Sequence, residues 1–451
     1  MRRSLLLLPF ALLAASLAAP GTPGQAVAPK DSTKDAAKAA PKAAAKGSPK
    51  GEPKAKSAVT EGFVRFRAQE IDRSLKVGYC VLVVDINGDS KPDIVVADTD
   101  RVVWYENPGA AGQEWKRRTM IEGQTQPDNV SIAAADIDGD GRVDIALAAG
   151  WNPFNTKVPG TLQWLRRGAT LDEPWSLHPI PCDEPMVHRI RFADVDGDGK
   201  PELVVAPLMG QDATRPGNWM DGRPVRLLAY KVPADPVHGE WKPTVLNESL
   251  HVVHNFAPVP AEGRPGDDLL TASFEGVSLL SLKKGQWDVR KLGEGNQNLP
   301  TGNRGSSEIK RGRLHGGAQF LATIEPWHGN QVVVYAQPAD PAKLWERQVV
   351  DTRLRWGHAV WCADLDGDGD DELIVGVRDD PVRGDLFQDQ RGVRVYKARD
   401  AEGHKWERLL VDPGGVAVED LTVADLNGDG RLDIVAVGRA TGNVRIYWNE
   451  K

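Results

Sequence analysis

Cysteine is nearly absent: the 451 residues contain three, Cys80, Cys182 and Cys362. That excludes a disulfide framework, and no pair has the spacing of a zinc site. An odd count leaves at least one thiol free, and Cys80 and Cys362 sit in apolar runs that predict buried thiols. Long apolar runs are missing as well. No segment reaches the roughly 18 apolar residues that a membrane span needs. Positive charge is also in short supply. After residue 60 the chain holds 46 Lys and Arg against 60 Asp and Glu, a net charge of −14. This balance excludes a nucleic-acid surface. It also leaves no dense basic cleft for polyanionic chains.

What is present begins with "MRRSLLLLPFALLAASLAAPGTPGQA". Two arginines, a short apolar stretch and small residues predict a cleavable signal peptide over residues 1–26. The protein is therefore expected to be exported, to a periplasmic or extracellular space. No cysteine stands near the cleavage region, which argues against a lipid anchor. Residues 27–60 are dominated by Lys, Ala, Pro and Gly and contain no aromatic residue. Such a segment cannot bury a core and reads as a disordered linker.

The remainder, residues 61–451, is repetitive. "VVDINGDSKPDIVVAD", "AADIDGDGRVDIALAA", "ADVDGDGKPELVVAP", "CADLDGDGDDELIVGV" and "VADLNGDGRLDIVAVG" start their acidic runs at Asp85, Asp136, Asp194, Asp364 and Asp425. The long gap between the third and fourth holds two degraded copies, from Ala257 and Lys310. A tryptophan late in six units, at 115, 175, 241, 287, 345 and 406, supports a count of seven. The last unit lacks this strand. The N-terminal "RFRAQEI", with Phe66 five residues before Ile71, supplies it. Each unit reads as four short strands split by Gly, Pro and Asp turns. The prediction is an all-β fold: a seven-bladed β-propeller whose N-terminal strand closes the last blade.

The acidic pattern is D-x-[DN]-G-D-G-x-x-[DE]. Oxygens at positions one, three, five and nine can converge on a hard cation, and Ca²⁺ suits such flexible cages. The expected ligands are Asp85, Asn87, Asp89 and Asp93; Asp136, Asp138, Asp140 and Asp144; Asp194, Asp196, Asp198 and Glu202; Asp364, Asp366, Asp368 and Glu372; and Asp425, Asn427, Asp429 and Asp433. About five calcium ions would offset most of the negative charge. Recurring once per unit, these loops are expected to brace the scaffold and not to catalyse.

The opposite face draws attention for a different reason. Six residues before the first loop aspartate stand His188 and His358, and His254 occupies the same register ahead of Pro260. Glu419 and Tyr79 share that place in the last and first units, and Asn129 is one residue early. These side chains should ring the mouth of the channel and suit a further divalent metal or proton transfer. Long loops on this face add Trp151, Asn152, Trp219, Glu325, Trp327, His328, Arg378 and Asp379. Flat aromatic surfaces with hydrogen-bonding groups fit a sugar. His178, His238, His251 and His404 lack the register and are expected at the surface, and His315 on the acid-loop face.

The acidic repeat resembles the FG-GAP/VCBS repeat of integrin-type propellers, which implies fold and calcium but says little of function. The stretches around "IEPWHGN" and "GRATGN" make residues from about Val64 to Asn449 resemble the propeller portion of aldos-2-ulose dehydratases. That resemblance implies a lyase removing water from a keto-sugar. His188 or His358 would then be the base, with the two roles interchangeable. His254 with a metal, or Arg378, would hold the oxyanion. Glu419, Glu325 or Tyr79 would assist as acid. Two alternatives stay open: a non-catalytic propeller binding a glycan or protein through the same face, and a polysaccharide lyase.

Overall fold

A computed structural model describes residues 63–298, 302–378 and 391–450. The chain divides into two units, Met1–Ala58 and Val59–Lys451, and every described residue belongs to the second. The expected signal peptide and linker lie outside the described residues. So does Asp379.

Among the described residues there are 28 strands and no helix. They form seven antiparallel sheets of four strands each, the blades of a β-propeller. In every blade the first strand is innermost. These are β2 (Cys80–Val84), β6 (Ser131–Ala135), β10 (Val187–Ala193), β14 (Asn255–Pro260), β18 (Lys310–Arg313), β22 (Gly357–Ala363) and β26 (Val418–Ala424). The last blade is completed by β1 (Phe66–Asp72), paired antiparallel with β28 (Val444–Asn449) from Phe66↔Asn449 to Asp72↔Val444. The ring therefore closes non-covalently, and no sheet edge is left open at the junction.

The second strand of a blade has both faces covered by neighbouring blades, so it reads as an unbroken apolar run. β3 (Asp93–Asp98), β7 (Asp144–Ala149), β11 (Glu202–Pro207), β23 (Glu372–Val377) and β27 (Asp433–Gly438) are buried at every position. Fourth strands such as β5 (Lys116–Glu122) alternate toward solvent. Trp115, Trp175, Trp241 and Trp345 are buried just ahead of them. All three cysteines are free, and burial pushes the Cys80 thiol up to about 12. The seven inner strands together line a central cavity of about 680 Å³.

Candidate functional site

Each inner strand starts at one end of the ring and runs into its strand-to-strand turn at the other. The acidic loops occupy that second end, since position nine opens the second strand: Asp93, Asp144, Glu202, Glu372 and Asp433. Glycine at position four takes a positive φ in all five loops, from 72° at Gly428 to 79° at Gly88 and Gly197. The first carboxylate folds back onto backbone N–H groups; Asp194 accepts from Gly197 at 2.8 Å and Gly199 at 3.0 Å. The ninth accepts from position two, as Glu202 does from Val195 at 3.1 Å.

The fit to a cation differs among the loops. Carboxylate oxygens of positions one, three and nine lie within 4.8 Å of one another in Asp136/Asp138/Asp144, Asp194/Asp196/Glu202 and Asp364/Asp366/Glu372. In two of these loops the second oxygen of the ninth residue, Glu202 Oε1 or Glu372 Oε1, is buried without a hydrogen bond. Burial first, and then neighbouring carboxylates, push Glu202 up to about 7 and Glu372 up to about 8. Those are orphaned acceptors that a cation satisfies. Position five stands apart from these groupings. Asp89, Asp140, Asp198, Asp368 and Asp429 instead face Lys91, Arg142, Lys231, Lys397 and Arg431.

At the other end, the structure brings four histidines together. His188, His254 and His358 sit at the starts of β10, β14 and β22, and His328 on the turn between β19 (Gln319–Glu325) and β20 (Gln331–Ala336). Ring centroids are 4.7 Å apart for His188–His254 and His254–His328, 5.1 Å for His254–His358 and 4.9 Å for His328–His358. Three of the rings share one anchoring rule. Nδ1 donates to a carbonyl of the next blade: His188 to His254 O at 2.9 Å, His254 to Ser307 O at 3.1 Å, His358 to Glu419 O at 2.6 Å. This fixes the tautomer and makes each Nε2 the acceptor nitrogen. His328 Nε2 lies 2.8 Å from His254 Nε2. Ligand atoms of His254, His328 and His358 all lie within 4.8 Å of one another. The imidazoles are held neutral. Burial first, then Arg189, Arg378 and the other rings, push His188, His328 and His358 well below the usual range; burial also lowers His254. A neutral, tautomer-fixed imidazole is what a transition-metal ligand requires.

The backbone that presents these rings is strained. Met186, Val252 and Trp356, two residues ahead of His188, His254 and His358, have φ of 47°, 50° and 64°. His328 itself has φ 50°. Such values are costly for side chains of this bulk and persist only where packing over-determines them.

Other predicted residues fall into place less simply. Trp151 approaches His188 at 5.0 Å, and Asn152 is exposed beside it. Trp327 stacks on His328 at 4.6 Å, but it and Trp219 are 7% exposed. Both pack with Met186, Met209, Val252 and Phe274, so they are walls and not open platforms. Glu419 is gripped by Arg378 at 3.1 Å and by Arg439 at 3.1 Å; it is an ion-pair anchor, not a poised acid. Glu325 is fully buried and accepts from Ser306, Tyr335 and Arg347, bracing the turn that carries Trp327 and His328. The Tyr79 hydroxyl is spent on Asp128 at 2.9 Å, and the Asn129 amide on Asp98 O at 3.0 Å. His251 is half-buried against Glu275, not at the surface.

Glu308 and Trp356 were not singled out by the register argument. Glu308 Oε1 lies 2.9 Å from His254 Nδ1. Counting six back from Leu314, which takes the aspartate's place in the degraded fifth loop, finds Glu308. Trp356 stands 5.5 Å from His328, under the Arg378 guanidinium.

Residues 159–338 match the family described as aldos-2-ulose dehydratase, beta-propeller domain, and residues 85–147 match the FG-GAP-like repeat. The first match includes His188, His254, Glu308 and His328. The chain resembles the propeller domain of aldos-2-ulose dehydratase. The aldos-2-ulose dehydratase of Phanerodontia chrysosporium is 26% identical over 336 residues, 68% of this chain and 35% of that protein. The chain thus corresponds to about a third of the length of this curated relative. Two solved structures of BBS1N in complex with ARL6DN, soaked with mercury or lead, are 13% and 14% identical, with TM-scores of 0.51 and 0.50. They cover 86% of this chain and 97% and 98% of theirs, and they share its fold.

Proposed function

We propose that the histidine end of this propeller is the site of a keto-sugar dehydratase, with a divalent ion held by His254, His328 and His358. The observation that carries this reading is the convergence of ligand atoms of His254, His328 and His358 in a neutral cluster beside Trp151 and Trp327, with His254 and His358 anchored through Nδ1 to carbonyls of the next blade. When bound, a divalent ion there supplies Lewis-acid stabilisation of an enolate oxygen. His188 lies outside the triad of ligand atoms, which supports giving it, and not His358, the role of base. The His188 Nδ1 proton is spent on His254 O, so Nε2 takes the proton next to the sugar carbonyl. Arg378, fixed by Glu419 and Trp356, keeps a positive charge at the rim where an oxyanion develops. Trp151 offers the sugar an apolar face. We assign the acidic loops a structural role with calcium as the fitting ion, at the end of the ring away from this chemistry.

The test is ultraviolet absorbance of the full chain with a panel of keto-sugars, followed for a conjugated enone. His188→Ala should abolish the signal while sugar binding persists. A flat trace from the folded, metal-supplemented wild type would shift the reading to a glycan-binding module.

A further inference from the structure

The central cavity lies between the histidine cluster and the acidic loops, and the chemistry proposed above does not use it. All seven inner strands line it, and its volume of about 680 Å³ falls in the ~300–1,000 Å³ range of small-molecule sites. Half of its lining residues are Val, Ala, Ile and Pro, and Lys310 projects from β18. The Lys310 ammonium lies 4.4 Å from the Trp361 ring centre, and among the described residues no carboxylate is within ion-pair distance of it. Lys310, Trp361 and Cys362 are only partly buried, so solvent reaches the cavity.

The other charged and titratable groups around it are Cys80 on β2, Arg191 on β10, Glu308 before β18, Arg311 on β18, Cys362 on β22 and Asp420 on β26. Both acids are engaged elsewhere. Glu308 serves His254 and Asn255, and Asp420 accepts the Val81 N–H at 3.1 Å. Arg191 bonds Phe256 O and Asn255.

We propose that this cavity is a covalent capture site for small carbonyl compounds, open-chain aldoses and ketoses among them, with the Lys310 amine as nucleophile. The neutral amine adds to the carbonyl carbon. Nitrogen loses a proton as oxygen gains one, and water leaves as the C=N bond forms. Nothing is oxidised, and hydrolysis reverses the step. Although the ammonium keeps some exposed surface, enclosure by the ring of strands first, and then Arg191, push Lys310 down to about 8 against the opposing pull of Glu308 and Asp420. Lys76, Lys91, Lys231 and Lys397 are pushed the other way by carboxylate partners. An amine titrating near 8 is about one-tenth neutral at pH 7, against fewer than about one in a thousand for an ordinary lysine. The site uses different residues from the histidine cluster, so it stands or falls separately from the proposed dehydration.

The experiment treats the full chain with glyceraldehyde and cyanoborohydride and maps reduced adducts by peptide mass spectrometry. Lys310 should label on the order of 100-fold faster at pH 7 than the exposed Lys242, with a rate that levels off above about pH 8. Lys310→Arg should remove the fast adduct and leave the melting temperature and any keto-sugar turnover unchanged. Labelling of Lys310 no faster than Lys242, or only after denaturation, overturns the proposal. So does a fast adduct that survives in Lys310→Arg.

Discussion

Lys397 offers a test of how the acidic loops are balanced. At the residue after the third-strand partner of each loop's apolar neighbour, the five loops carry Glu106, Arg166, Lys231, Lys397 and Trp448. The three basic residues belong to the loops with Asp at position three, and Glu106 and Trp448 to the loops with Asn there. The extra carboxylate is matched by a cation from the same blade. Lys397 is 9% exposed and pairs with Asp366 and, at 2.7 Å, with Asp368. Breaking a buried pair costs ~3–5 kcal/mol. Asp368 is 41% exposed, and solvent screening brings the figure for Lys397→Met down to about 2–3 kcal/mol. For a chain this long that is a melting-temperature loss of roughly 2–4 °C. The assay is thermal unfolding in excess EDTA and in excess calcium. The full loss should appear in EDTA and shrink in calcium, because the ion replaces the missing charge. An equal loss in both buffers would refute the charge-balance argument.

Calcium should also release protons. With Glu372 near 8, Glu202 near 7 and Asp93, Asp144 and Asp433 near 6, saturation in weak buffer at pH 7 should free about one to two protons per chain, and far fewer at pH 9. Potentiometric titration measures this, and no release would contradict those shifts. The histidine cluster should lose its contribution to stability in acid. His188, His254, His328 and His358 titrate lower in the folded chain than the unfolded value near 6.5, so the unfolded chain binds more protons below that pH. The histidine contribution is complete above about pH 6.5 and declines below it, by up to about 1.4 kcal/mol per pH unit for each histidine, while the raised carboxylates of the empty acidic loops work in the other direction. The melting-temperature difference between wild type and His358→Gln isolates the histidine contribution in metal-free protein, and a difference that stays constant from pH 7 to 5 would count against the cluster. Glu308→Gln should weaken metal binding at His254 by about 10–100-fold with the fold intact, read by competition with a chromophoric chelator.

The ring was legible in the sequence because each blade repeats one pattern, and the borrowed strand because Phe66 and Ile71 carry the spacing of the missing one. The histidine register was legible too, since it counts back from a fixed aspartate. It passed over Glu308 because the fifth unit carries neither a histidine nor a loop aspartate to mark that place. Counterparts across blades were not legible. Nothing local marks Glu325 as fully enclosed by Ser306, Tyr335 and Arg347, or Trp219 and Trp327 as walls. Those facts depend on how turns from different blades close over one another. The partners of Asp198 and Asp368 were hidden because strand pairing within the blade brings them together: Lys231 and Lys397 lie 33 and 29 residues along the chain from them.

The measurement that tests the account most directly is anomalous diffraction from crystals grown with zinc and calcium. One zinc peak should lie about 2.0–2.1 Å from the Nε2 atoms of His254, His328 and His358, and calcium peaks should be confined to the acidic loops. Zinc absent from the histidine end, with the four rings ordered as described, would contradict the claim that this end carries the function.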